Sequence, residues 1–131
     1  MFLAQLNDAQ KNSFLALATR VVLADGDLTD QENVLLDRLK AEMGGNAKAP
    51  PEEVFGNTNL ANFSDRRSRV IVLLELLTLG HADNNFHADE IKVIEELGRA
   101  FGISDGDFAA ISEWAKRQAK QFHDAAGLMG P

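Results

Sequence analysis

The feature that most constrains this chain is a polar joint that occurs twice. Its first copy is Ala24-Asp25-Gly26-Asp27-Leu28-Thr29-Asp30-Gln31-Glu32, and its second is Ala82-Asp83-Asn84-Asn85-Phe86-His87-Ala88-Asp89-Glu90. Each copy follows an apolar run of helical spacing and opens another. The shape this dictates is helix, tight polar turn, helix. In the first copy Thr29 with Glu32 has the spacing of a capping box, with Leu28 at the staple position before the cap. Gly26 is able to take the positive φ that ends a helix at little cost.

Setting residue n against n+58 brings Ala24, Asp25, Glu32, Leu39 and Gly44 onto Ala82, Asp83, Glu90, Leu97 and Gly102. The elements that agree are the turn, the cap, the core face and the stop. Around the two joints the periodicity predicts helices throughout. Asn7 or Asp8 caps a first helix with Phe14, Leu15, Ala18, Val21 and Val22 inward, and a second carries Leu35, Leu36, Leu39 and Met43 up to Gly44-Gly45. The stretch from Asn46 to Phe63 is irregular, with Pro51 starting a short helix and Val54, Phe55, Leu60 and Phe63 available to pack. Ser64 or Asp65 caps the most apolar helix, whose polar residues Ser68, Glu75 and Thr78 read as a narrow exposed strip. Ile91, Ile94, Leu97 and Phe101 mark the next helix. Ser104-Asp105-Gly106-Asp107 starts a last one bearing Phe108, Ile111, Trp114, Ala115 and Phe122. No stretch alternates with period two. The expected fold is all-α: one helical-bundle domain over residues 1–131, made of two pseudo-repeated helical hairpins and a closing C-terminal helix. Its core spans about residues 8–124, with a frayed tail at 125–131.

Composition narrows the function classes. The 131 residues are 45% hydrophobic and 25% charged, with net charge -7 and no cysteine. Such acidity argues against nucleic acid as a partner, because phosphate backbones need a basic stripe. Without cysteine there is no disulfide, thiolate nucleophile or thiolate metal ligand. Val70-Ile71-Val72-Leu73-Leu74 is stopped by Glu75, far short of the ~20 residues that span a bilayer. The N-terminus has no basic region before its apolar residues, so a cytoplasmic location without a signal peptide is the expectation.

The chemistry to weigh sits in the joints. Asp25, Asp27 and Glu32, with Asp83, Asn85 and Glu90, are the oxygen donors that calcium, magnesium or manganese prefer. The EF-hand pattern does not fit. Counting from Asp25, its glycine position holds Asp30 and its glutamate position Leu36; from Asp83 they hold Ala88 and Ile94. The same acids have a structural use. Glu32 and Glu90 suit a helix N-terminus, for about 0.3–1 kcal/mol each, and Asp25 and Asp27 suit turns. His81 and His87 flank the second joint and would add zinc chemistry, but no paired helical ligand accompanies them, so zinc ranks below the hard cations. Arg66, Arg67 and Arg69, and Lys116, Arg117 and Lys120, are the basic clusters; a solvated helix face is their plainer use. No catalytic constellation emerges.

The sequence Leu-Ala-Asp-Gly-Asp-Leu-Thr-Asp-Gln-Glu, followed by a second hairpin and a closing Gly-Ile-Ser-Asp-Gly-Asp-Phe helix, resembles the tellurite-resistance TerB-like family. That family also occurs as a domain in a membrane-anchored DnaJ-type co-chaperone. The resemblance covers roughly residues 10–120. It implies an all-helical domain of two pseudo-repeats with the acidic residues of both turns gathered as a divalent-metal site. It implies Asp25, Asp27, Glu32, Asp83 and Glu90 as ligands, no established catalysis, and a stress-linked assembly with a protein partner. This chain departs from the pattern in its second copy, where Asn84 replaces glycine and Asn85 is neutral. The functional expectation is a non-enzymatic binding or scaffold module with a divalent cation at its acidic turns. The alternatives are a metal-dependent hydrolase using the same carboxylates, or an interaction domain with no ligand.

Overall fold

Helix ends show most directly how this sequence is read out. In the computed structural model, which describes residues 2–24, 30–82 and 88–130, six α-helices follow one another and no strand occurs among those residues. They are α1 (Asp8–Val22), α2 (Asp30–Glu42), α3 (Pro51–Phe55), α4 (Arg66–Ala82), α5 (Ala88–Ala100) and α6 (Asp105–Met129). Short 3-10 turns occur at Leu3–Gln5 and Leu60–Asn62. The all-α expectation holds. None of the described helices is long and apolar enough to cross a membrane.

Three of the described α-helices start on side-chain caps. Asn7 opens α1 with a reciprocal box: its Oδ1 accepts from the Gln10 N–H at 2.8 Å, and Gln10 Oε1 accepts from the Asn7 N–H at 3.0 Å. Asp65 precedes α4, and its carboxylate accepts from the Ser68 N–H at 3.0 Å. Hydrogen bonds donated by Ser68 hold the Asp65 carboxyl below its ordinary value of 3.8. Ser104 Oγ caps α6 by accepting from the Asp107 N–H at 3.1 Å. Pro51 stands at the first position of α3, where a missing N–H costs no helical bond.

The helix starts fall in a common register. α1 and α4 begin 58 residues apart, as do α2 and α5, and α2 and α5 also end 58 apart. Their stops correspond bond for bond. Gly44 N–H donates to Ala41 O at 3.1 Å and Gly45 N–H to Lys40 O at 2.8 Å. Fifty-eight residues on, Gly102 N–H donates to Arg99 O at 3.0 Å and Ile103 N–H to Gly98 O at 3.0 Å. Gly44 and Gly102 hold φ of 98° and 74°, left-handed values that cost an L side chain about 1–2 kcal/mol.

The chain divides into two compact units, Met1–Val72 and Leu73–Pro131. In the first, α1 packs against α2 and α3. Residues 13–18 of α1 are all buried, so this helix is enclosed on every side. Leu36, Leu39 and Met43 give α2 its buried stripe, as the spacing predicts. Polar bonds help tie the irregular 46–63 stretch to α1. Ser13, fully buried, donates from Oγ to Glu53 Oε1 at 2.9 Å and accepts from Asn62 Nδ2 at 2.9 Å. Gln10 Nε2 reaches Asn62 O at 3.0 Å, and Arg20 reaches Thr58 Oγ1 at 3.2 Å. Phe63 is buried as expected, whereas Phe55 is 85% exposed and does not pack. A helix of five residues has room for one inward side, and α3 turns Val54 and Glu53 that way, both half-buried.

In the second unit Leu73, Leu76, Leu77, Ile94, Leu97 and Phe101 are buried. The exposed strip expected on α4 does not exist: Ser68, Glu75 and Thr78 are all buried. α4 is enclosed there, and its polar side chains go inside with the apolar ones. On α6, Ala115 and Ala119 are buried, Trp114 is half-buried and Phe122 is 51% exposed. The helix continues through the tail read as frayed, to Met129. Alanine, leucine and methionine there are good helix formers. α5 meets α6 where Gly98 faces the Phe108 ring. A Cβ built on Gly98 would lie 2.7 Å from Phe108 Cδ2, so glycine there is set by close approach.

Gly98→Ala is therefore expected to lower the unfolding free energy by about 1 kcal/mol or more, because displacing the ring outweighs the roughly 1 kcal/mol gain in helix propensity. Gly106→Ala, where a Cβ meets nothing within 4 Å, should instead be neutral or stabilise by about 0.4–1 kcal/mol. Urea unfolding of both variants checks the difference in sign; a Gly98→Ala chain as stable as the parent would contradict this packing.

Candidate functional site

The two joints are framed by well-formed helix ends. α1 closes with Leu23 N–H on Thr19 O at 3.0 Å and Ala24 N–H on Val21 O at 3.2 Å, and α2 opens at Asp30. α4 closes at Ala82 with His81 in its last turn, and α5 opens at Ala88. Asp25, Asp27, Asp83 and Asn85 lie outside the described residues, as do Leu28, Thr29, Phe86 and His87. Glu32 belongs to α2, but its side chain also lies outside what is described. Glu90 is the one proposed ligand whose side chain is described, and it is buried at 5% exposure. Glu32 and Glu90 occupy the third position of α2 and α5, beside backbone N–H groups that carry the positive end of the helix dipole. Among the described residues no cluster of three or more histidine, aspartate or glutamate side chains could hold a metal.

A second site lies wholly within described residues. His81 lines a groove of about 760 Å³ with Glu113, Lys116, Arg117, Ala119, Lys120 and His123 of α6. On α6 these residues recur at spacings of three and four, so they share one helical face. Ala119 is 2% exposed, and the five charged or imidazole side chains of α6 around it are exposed. Partial burial, and after it the positive field of Lys116, hold His81 below its ordinary value of 6.5, with Glu113 opposing. The lysine and arginine run had been visible in the sequence as a basic cluster. Its meeting with His81 was not, because that depends on how the end of α4 lies along α6.

Two buried polar groups on α4 were also missed as such. Glu75 is 5% exposed, and Thr78 Oγ1 is buried with no hydrogen-bond partner among the described residues. The available signal was the apolar character of the helix on all sides, which leaves no solvent face for a polar residue to occupy.

The family model described as "Tellurite resistance protein TerB" matches residues 56–113. This segment is TerB-like. It is the same family that the joint and cap pattern resembles, reached here through the second helix pair. No curated protein and no solved structure matches the chain. The TerB match spans α4, the second joint, α5 and the start of α6. It contains His81, Glu90 and Glu113, and ends before Lys116.

The His81 environment fixes a sign for pH dependence. A proton binds His81 more weakly in the folded chain than in the unfolded one, so protonation favours unfolding. The contribution is flat above the unfolded value near 6.5, and stability is lost as pH falls below it towards the lower folded value. Thermal melts of the parent and His81→Gln chains should keep a constant difference at neutral and higher pH. Below about pH 6.5 the parent should lose ground relative to the variant. A parent that gains ground on acidification would contradict the assignment.

Proposed function

We propose that this chain is a non-enzymatic binding module of TerB type whose acidic turns hold a hard divalent cation. The observation that carries the reading is the TerB match over residues 56–113, which encloses the second joint and buried Glu90. A carboxylate so little exposed needs compensation for its lost hydration. Glu90 has interaction partners in the fold and the N-terminal end of α5 beside it, and a cation at the turn would add to these.

The donor set fits. Asp25, Asp27 and Glu32 in the first turn, with Asp83, Asn85 and Glu90 in the second, offer carboxylate and amide oxygens and no sulfur. That chemistry selects calcium, magnesium or manganese over softer metals. A bound cation would fix the turn conformation and neutralise its acids, so its work is structural and electrostatic. The common 58-residue spacing of helix starts supports reading the two helix pairs as one unit used twice, within a single domain. The family's description, tellurite resistance, is in keeping with a stress-response role; an assembly with a protein partner in the cytoplasm belongs to the same proposal.

Thermal unfolding in EDTA, followed by excess calcium, magnesium, manganese or zinc, tests the cation. A native-state ligand at about 100 times its dissociation constant adds about 2.7 kcal/mol, a rise of several degrees. Calcium, magnesium or manganese is expected to give it, and Asp25→Asn or Asp83→Asn to reduce it. No rise with any of the four cations would overturn the cation reading.

A further inference from the structure

We propose that the groove between His81 and the 113–123 face of α6 is a binding site for a small phosphate-bearing anion. It is separate from the acidic turns in residues and opposite in charge. Among the described residues lining the groove, Lys116, Arg117 and Lys120 face Glu113 alone, an excess of two positive charges in a chain of net charge -7. Among the described residues none of these three cations makes a hydrogen bond or ion pair. Lys116 and Lys120 are four residues apart on one helix, a like-charge arrangement that weakens an isolated helix by about 0.2–0.5 kcal/mol. An anion seated between the two lysines would relieve that repulsion.

The groove has the chemistry such a ligand requires. An arginine guanidinium can grip two phosphate oxygens at once, and lysines add point charges around them. His123 has a ring N–H to donate when neutral. Ala119 forms a small, buried floor that leaves the space between the longer side chains open. The volume of about 760 Å³ suits a phosphoester or pyrophosphate with an organic body better than a bare monophosphate ion. Two effects oppose binding. The carbonyl end of α4 carries about half a negative charge, and Glu113 carries a whole one. Three cations outweigh the sum of these. A single short face of this kind is too small for a nucleic-acid backbone, which needs a longer basic track.

The phosphate could arrive on a soluble molecule or on a lipid headgroup, and the test separates them. Titrate the full chain, in EDTA, with inorganic pyrophosphate while following backbone amide resonances. Saturable shifts are expected at His81, Glu113, Lys116, Ala119 and Lys120. The double variant Lys116→Glu, Lys120→Glu alters exposed positions and should fold while losing at least tenfold in affinity. Glu113→Gln should bind more tightly than the parent. In a second arm, co-sedimentation with vesicles of phosphatidate in phosphatidylcholine, but not with phosphatidylcholine alone, would identify a headgroup source. Neither saturable shifts nor phosphatidate-dependent sedimentation, or equal binding by the folded charge-reversed variant, would overturn the proposal.

Discussion

The structure depends on how its helices are made to begin and end. An α-helix leaves four N–H groups and four C=O groups without internal partners, and burying them unpaired costs more than most single contacts return. This chain meets that demand with local chemistry. Asn7 with Gln10, Asp65 with Ser68, and Ser104 with Asp107 supply the starts. Gly44 and Gly102 supply stops of the same form at the ends of α2 and α5. Because starts and stops are fixed by residues a few positions apart, helix lengths are fixed too. The apolar stripes of α2 and α5 then have a set length to bury. The polar joints between α1 and α2, and between α4 and α5, are the intervals these signals leave over.

That division explains which parts of the fold were legible. Caps, glycine stops and the buried faces of α2 and α5 depend on short-range spacing, and they could be read from residues alone. The burial of Glu75, Ser68 and Thr78 could not, because periodicity says which residues share a face and not what covers it. Phe55 was misread for a related reason: an aromatic residue in a short helix has no sequence signal for which way it turns. The bonds from Ser13 to Glu53 and Asn62 join positions tens of residues apart, and nothing local announces them. At the joints the acids and their order are plain in the sequence. Whether they converge is a question of tertiary geometry, and only Glu90 among them is described with its side chain.

The charge of the chain shows a similar gap between average and arrangement. A net value of -7 does not say how the charges are arranged. Lys116, Arg117 and Lys120 are diluted in the total, yet they line one groove with His81. The groove and the acidic joints have opposite sign and use different donor chemistry, so one molecule carries two surfaces that would select ligands of opposite charge.

The most direct test of that account is residue-level. Backbone amide resonances of the full chain should be followed during titration with calcium and, separately, magnesium, with EDTA returning the starting spectrum. The account predicts saturable, reversible shifts concentrated at residues 25–32 and 83–90, with α6 little changed. Shifts absent from both joints, or confined to α6, would contradict it.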